Sequence, residues 1–204
     1  ITTDKGVVKA GLLKGVIESL EKADIQYIIH DKVEPNPTDT MIHEATDVLR
    51  KEGCDFVVAV GGGSSMDTGK GAALLATNPG KINDYEIREG VAPPFKNHLL
   101  PLVTIPTTAG TGSEVDFWAV VTDSKRKFKM CLGQWPPYHG GPYLGAAISL
   151  VDPALTITLP PKQTAATGFD ALSHAIETYV AKGSIPPVAA LAQHAIELIS
   201  KNLP

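Results

Sequence analysis

The stretch Phe56-Val57-Val58-Ala59-Val60-Gly61-Gly62-Gly63-Ser64-Ser65-Met66-Asp67 constrains the fold more than any other, because an apolar, β-branched strand passes through three glycines directly into a helix start. Glycines reach positive φ and carry no Cβ, so backbone N–H groups in such a turn can approach a bound anion. The following helix presents its partly positive N-terminus to the same charge. Ser64 or Ser65 is placed to cap that helix. The spacing matches neither G-x-G-x-x-G nor G-x-x-x-x-G-K-[ST]. By itself the turn therefore fits two descriptions, a phosphate cradle or a tight strand-to-helix connection with no ligand.

The rest of the chain narrows the class. Its 204 residues suffice for one domain, or one domain plus part of a second. With 43% hydrophobic and 20% charged residues it is not a disordered chain, and no apolar run reaches bilayer-spanning length. A net charge of -4 with no basic block beyond Lys125-Arg126-Lys127 argues against nucleic-acid or anionic-membrane partners and leaves a small molecule as the expected ligand. Cys54 and Cys131 form no C-x-x-C pair, which fits a reducing, cytoplasmic setting. The opening Ile1-Thr2-Thr3-Asp4 reads as a strand end with neither an initiator Met nor a signal peptide, so an upstream part is expected to be missing.

Hydrophobic periodicity predicts an alternation of strands and helices. Residues 1–3 read as a strand end, 5–22 as one amphipathic helix with Val8, Leu12, Leu13, Val16 and Leu20 on a stripe, and 25–29 as a strand. Thr38 caps a helix to about 51, residues 56–60 form a strand, 65–76 a helix, and Asn78-Pro79-Gly80 stops it. Residues 100–105 form another strand, ending in a second loop rich in hydroxyls and glycine, and 115–121, 127–131 and 148–151 read as further strands. Such a pattern predicts an α/β fold with a mostly parallel sheet covered on both faces. Ligands of such sheets bind outside the strand carboxyl ends, so the two loops are expected walls of one site. After Asp152-Pro153 no strand follows; Pro160-Pro161 opens a helix to about 181 and Pro186-Pro187 another to about 203. Residues 1–153 are thus expected to form one α/β domain and 154–204 the beginning of a helical one. The loop at 134–143, rich in Pro, Gly and aromatics, reads equally as a lid or as a surface loop without a role.

Asp170 and His174 are four residues apart on the first of those helices, so their side chains share a face and can hold one metal ion. The neighbouring stripe of Phe169, Leu172, Ile176 and Tyr179 is expected to bury that face at the domain junction. A lone pair of this kind is more often a surface hydrogen bond, and it supplies only half of a four-ligand site.

The motifs taken together are far more specific. Gly61-Gly62-Gly63-Ser64 with Asp67, then Ile105-Pro106-Thr107-Thr108-Ala109-Gly110-Thr111-Gly112-Ser113-Glu114-Val115, then Thr167-Gly168-Phe169-Asp170-Ala171-Leu172-Ser173-His174-Ala175-Ile176-Glu177 resemble, in that order, the iron-containing alcohol dehydrogenase family, the group of lactaldehyde reductases and 1,3-propanediol and methanol dehydrogenases. Thr3-Asp4-Lys5 and Pro35-Asn36-Pro37-Thr38 belong to the same resemblance, which covers nearly the whole chain. It implies a Rossmann-like parallel-sheet dinucleotide-binding domain followed by an all-α domain that holds a divalent metal. Hydride would pass reversibly between NAD(P) and an alcohol or aldehyde in the cleft between them, in an enzyme that is a homo-oligomer.

The resemblance also implies roles. Asp4 would bond the adenosine ribose and repel a 2′-phosphate, favouring NAD over NADP. Asn36 would lie near the adenine, and Gly62, Gly63 and Ser64, in one motif with Asp67, would hold the pyrophosphate. Thr107, Thr108 and Thr111 would line the opposite side, and Lys127 would reach the nicotinamide ribose. Asp170 and His174 would be two of four ligands to Fe²⁺ or Zn²⁺, donors that suit either ion.

Two departures qualify this picture. The family is considerably longer, and its two remaining histidine ligands and substrate-side histidine would lie after Pro204; no catalytic residue is assigned within the chain. Of the histidines present, His30, His43 and His98 fall in the nucleotide domain, His139 in the 134–143 loop and His194 on the last helix, where it reads as a packed or solvated residue or as a compensating ligand. Residues 134–142 look like an insertion of about nine residues, a tolerated loop length. The chain therefore reads as a fragment. Rival readings are a non-catalytic dinucleotide-binding or assembly module, a piece of a bifunctional aldehyde-alcohol dehydrogenase, and a maleylacetate reductase type of relative, the last disfavoured by the intact Asp170 and His174.

Overall fold

The computed structural model describes residues 1–134 and 142–203. The helix expected over 5–22 is two helices, α1 (Lys5–Lys9) and α2 (Lys14–Lys22), separated at Gly11, whose φ of 71° belongs to the left-handed region. Asp4 caps α1, its Oδ1 accepting the N–H groups of Gly6 at 2.7 Å and Val7 at 3.0 Å. The strand expected at 25–29 does not form; the chain after it makes isolated bridges, His30 to Thr2 and Lys32 to Asp4, and Thr2 in turn bridges Ala59. Thr38 caps α3 (Asp39–Lys51), as its sequence suggests.

β1 (Val57–Gly61) is buried along its whole length and runs into α4 (Gly63–Thr77), whose N-cap is Gly62 with no side-chain cap bond. The expectation that Ser64 or Ser65 caps this helix is thus corrected: both lie inside the first turn. β2 (Leu102–Pro106) pairs with β1 in parallel, Val57 opposite Leu102 and Gly61 opposite Pro106. β3 (Trp118–Asp123) and β4 (Phe128–Gly133) pair antiparallel as a separate two-stranded sheet, so the strands expected at 115–121 and 127–131 form a hairpin outside the main sheet. β5 (Ile148–Ser149) extends the parallel sheet to the order β1-β2-β5. Two proline-initiated helices, α5 (Pro161–Val180) and α6 (Pro186–Asn202), follow.

Alternation along β1 explains why both faces of the sheet are covered. Val57 and Ala59 join Met66, Ala72, Ala73 and Leu102 under α4, whereas Val58 and Val60 point the other way with Ile105 toward Val7 and Leu13 of the N-terminal segment. A third cluster, including Ile42, Leu74, Ile82, Val121, Met130 and Leu132, fills the space between α3, α4 and the hairpin. The apolar stripe of α5 behaves differently from expectation. Phe169, Ile176 and Tyr179 are 63%, 44% and 50% exposed, so that stripe is not buried within this chain.

The short basic run is structural. Arg126 reaches Asp123 at 2.6 Å and Glu86 at 2.7 Å, Arg88 joins Glu86 at 2.9 Å, and Asn83 bridges Asp39 and Asp123. These bonds tie the β3–β4 turn to the segment around residue 84 and to the start of α3. The Arg126 guanidinium and then Arg88 hold the Glu86 carboxyl below its usual range, and the backbone N–H and guanidinium of Arg126 hold Asp123 lower still. Carboxylates with depressed folded-state pKa values contribute stability that is present above the ordinary carboxylate pKa of about 4 and lost as pH falls below it. We expect the thermal midpoint to fall as pH is lowered from about 5 toward 2, and Arg126→Gln to lower it at neutral pH while flattening that decline. Parallel pH profiles for the two proteins would show that the Arg126 network does not set the acid limit.

Candidate functional site

A cavity of about 1270 Å³ opens at the carboxyl ends of β1 and β2. Gly62, Gly63, Ser64 and Ser65 form one wall, and Thr107, Thr108 and Thr111 form the other. Parallel pairing puts them face to face: Gly61 lies opposite Pro106, and the Thr107 N–H donates to the Gly61 carbonyl at 2.9 Å. The walls touch. A Cβ on Gly63 would sit 3.0 Å from the Thr111 methyl and 3.2 Å from its hydroxyl oxygen. No side chain caps α4, and the Ser65 and Met66 N–H groups donate to the Gly62 carbonyl at 3.0 and 3.2 Å, so the donors that the helix start offers a ligand are the N–H groups of Gly63 and Ser64. Thr108 Oγ1 and Ser65 Oγ are buried without a hydrogen-bond partner at the same place. Such a cradle of donors at a 15-residue helix fits an anionic group, and the volume exceeds the roughly 300–1,000 Å³ of common small-molecule pockets.

Asp4 lines the cavity together with Lys5, Lys9 and Lys32. One of its carboxylate oxygens is committed to capping α1. Asn36, left-handed at φ 59°, donates its N–H to Ser64 Oγ at 3.3 Å; its neighbour Pro35 lines the cavity and Asn36 itself does not.

Two further expected cofactor contacts, Asp67 and Lys127, also do not line the cavity. Asp67 is turned away from the cavity: its oxygens accept the Ser113 hydroxyl at 2.7 Å and the Val120 N–H at 3.0 Å. Burial pushes its carboxyl above the usual range, against the opposing pull of the Val120 N–H and the Lys70 charge. Lys127 lies in the β3–β4 turn at φ 53°, its N–H bonded to the Asp123 carbonyl at 2.9 Å, and does not line the cavity. Conversely, the sequence reading passed over Lys70, Ser113 and Asp116, which share a buried polar cluster with Asp67, and over Gln163 and Thr167, which line the cavity. The spacing Asp67 to Lys70, one helical turn, was the available signal for the cluster.

Gln163, Thr167, Asp170 and His174 follow each other at intervals of four, three and four along α5, one helical stripe. The face that closes the cavity therefore continues to the candidate metal pair. His174 Nε2 stands 3.9 Å from Asp170 Oδ1, and both side chains are about half exposed, 54% and 42%. Among the described residues no group of three or more His, Cys, Asp or Glu is arranged to hold a metal, and the pair offers two of the four donors of a tetrahedral site. His194 is not among them; it faces Glu197 at 3.8 Å on α6. Residues 135–141, with His139 and most of the 134–143 loop, lie outside the described residues; Gln134 accepts the Phe95 N–H at 3.2 Å.

The family model described as iron-containing alcohol dehydrogenase matches residues 1–138, and that of the C-terminal part of the Fe-containing alcohol dehydrogenase family matches residues 164–204. Choline dehydrogenase of Bacillus subtilis is 48% identical, aligned over 97% of this chain and 47% of its own. NAD-dependent methanol dehydrogenase of Bacillus methanolicus is 44% identical over 100% of this chain and 51% of its own. Among solved structures, sulfoacetaldehyde reductase from Bifidobacterium kashiwanohense in complex with NAD⁺ superposes with a TM-score of 0.85 at 37% identity, covering 99% of this chain and 50% of its own. The chain spans about half the length of the curated relatives it matches.

The second loop is pinned to α5 by Gly110, where a Cβ would lie 2.3 Å from the Thr167 carbonyl oxygen and 2.9 Å from its carbon. Backbone on both sides cannot yield locally. We expect Gly110→Ala to destabilise the chain by about 1–3 kcal/mol through overpacking, read as a thermal midpoint several degrees lower. An unchanged midpoint would mean that the loop and α5 are not in rigid contact.

Proposed function

The chain belongs to the iron-containing alcohol dehydrogenase family, and from that premise we propose that it is the nucleotide-binding half, with part of the metal site, of an NAD-dependent, metal-dependent alcohol dehydrogenase. The observation that carries this reading is the uncapped α4 N-terminus facing the threonine wall, in a cavity closed by the same stripe of α5 that bears Asp170 and His174. In this proposal residues 1–153 form the dinucleotide domain and 154–204 the first helices of the metal domain. The end of the parallel sheet at β5 and the separate extents of the two family models support that division.

The N–H groups of Gly63 and Ser64 would hold the pyrophosphate, with Gly62 giving the close approach and the hydroxyls of Thr107, Thr108 and Thr111 closing over it. Asp4 would accept from the adenosine ribose with the oxygen that α1 leaves free. Asp170 and His174 would give the metal two of its ligands, the remainder lying outside the described residues. When bound, the nicotinamide accepts hydride from the alcohol carbon while the metal acts as a Lewis acid on the alcohol oxygen. The contribution of this chain is alignment: α4 fixes the dinucleotide at one end, and α5 sets the distance from there to the metal pair, about 10 Å of helix rise from Thr167 to His174. A small alcohol as substrate and a cytoplasmic setting suit the net charge of -4 and the unpaired Cys54 and Cys131. Exposed apolar side chains on α5 and α6, such as Phe169 and Leu191, leave surface for further helices or for another subunit of a homo-oligomer.

The first test is NADH fluorescence titration of the chain. Saturable binding is expected, and Gly63→Val, which drives a branched side chain into Thr111 and the cradle, should abolish it in a folded protein. Unchanged binding in folded Gly63→Val would refute the cradle. Metal content and turnover provide the second. With only two donors, the chain should retain no stoichiometric Fe or Zn after dialysis and show no alcohol-dependent NADH formation at 340 nm, whereas a full-length relative does both. Metal-stimulated turnover by the chain itself would require the ligand set to be rebuilt. Asp4→Asn keeps the helix cap and removes the charge, so it should shift preference toward NADPH without loss of stability. An unaltered NADH to NADPH affinity ratio would count against Asp4 as the selector.

A further inference from the structure

We infer that Lys70 is a positioning residue for the dinucleotide wall: from inside α4 its ammonium holds residues 113–118 and thereby fixes Thr111 against the Gly63 turn. The inference rests on the dinucleotide reading of the cavity.

Lysine is almost never fully buried unless paired, and Lys70 is 0% exposed. Its three N–H donors are matched by Ser113 Oγ at 3.1 Å, Asp116 Oδ1 at 2.5 Å and the Trp118 carbonyl at 2.7 Å. All three acceptors come from one segment, the connection from the threonine loop to β3, which forms neither helix nor strand before Trp118. A lysine kept for general core stability would have no reason to address that segment alone. One turn earlier on α4, Asp67 grips the same segment through Ser113 and Val120.

Ser113 is the hinge of the cluster. Its hydroxyl accepts from Lys70 and donates to Asp67, so its orientation is determined by both. Its N–H donates to Thr111 Oγ1 at 3.2 Å. Thr111 in turn lines the cavity and stands within 3.0 Å of the Cβ position of Gly63. A continuous chain of bonds thus runs from the buried ammonium to the side chain that closes over the proposed pyrophosphate. Because Lys70 and the Gly63 turn belong to the same helix, the wall is referenced to the cradle it must face. Lys70 touches no ligand position itself, since it does not line the cavity.

The test measures NADH affinity by fluorescence titration, together with the thermal midpoint, for the chain and its Lys70→Met, Ser113→Ala, Ser113→Thr and Thr111→Val variants. Lys70→Met and Ser113→Ala should each weaken NADH roughly tenfold, the cost of one lost ordering bond. Ser113→Thr, which keeps the hydroxyl, should recover most of the loss. Thr111→Val should cost little further in the Ser113→Ala background, because both act through one path. Should Lys70→Met fail to fold, the Ser113 variants decide the question. A folded Ser113→Ala chain that binds NADH within about twofold of the unsubstituted chain overturns the inference, as do full additivity with Thr111→Val and absence of rescue by Ser113→Thr. If the unsubstituted chain binds no NADH, the dinucleotide reading falls and this inference with it; normal binding by that chain and unchanged binding by its variants remove the role of Lys70 alone.

Discussion

Everything in this structure that concerns a ligand depends on the parallel pairing of β1 with β2. Parallel strands end on the same side of a sheet, so register alone decides which connections meet there. With Gly61 opposite Pro106, the glycine turn and the threonine loop leave the sheet side by side, and each must turn immediately. A register slip of one residue would exchange the faces of Val57 and Ala59 with those of Val58 and Val60 and would separate the loops. Because both faces of β1 are buried, under α4 on one side and under α1 and the start of α2 on the other, that slip is resisted by core packing on both sides.

The parts legible in the sequence are those in which one local signal acts alone. Strand-to-glycine-to-helix at 56–67, the Thr38 cap of α3 and the Pro-initiated helices α5 and α6 all appear where the residues place them. Misreadings occur where a local pattern was outvoted. Apolar spacing over 5–22 suited one helix, but Gly11 turns left-handed and the chain needs that bend to drop Leu13 into the core. Residues 115–133 carry strand-forming side chains without any mark of which sheet they join, and the hairpin arises because residues 123–127 form a tight charged turn. The apolar stripe of α5 looked like a buried face, but the described residues leave Phe169 and Tyr179 exposed.

Acidic residues show the same division. The family resemblance marks Asp4 and Asp67 as candidates, and i,i+4 spacing with His174 marks Asp170. Only three-dimensional placement separates them. Asp4 reaches the cavity with one oxygen because α1 takes the other, Asp67 is consumed by Ser113 and Val120, and Asp170 stays half exposed on the stripe that leads away from the cavity. Asp123 and Glu86 had no functional signature, and they spend their charge on Arg126 and Arg88 to hold the hairpin. In a chain of net charge -4 the buried Lys70 and the half-exposed Arg126 are each matched to local carboxylates, whereas the α4 N-terminus and Lys5, Lys9 and Lys32 face the cavity.

Rigidity between the two halves follows from α5. Gly110 lets the threonine loop press directly on the Thr167 backbone, and Gly168, the next residue, lets Leu203 from the end of α6 approach within 2.3 Å of its Cβ position. Two successive positions on one helix turn thus carry contacts to the threonine loop on one side and to α6 on the other. The α6 contact at Gly168 lies one residue from the contact that sets the loop and two residues before Asp170. A helix is stiff over that distance, so the candidate metal pair and the threonine wall must move together if either moves. In the function proposed above, hydride transfer would require the reacting atoms to be held close to near-attack distance, and a single stiff helix running from the threonine loop to the candidate metal pair would be a physical means of meeting that demand.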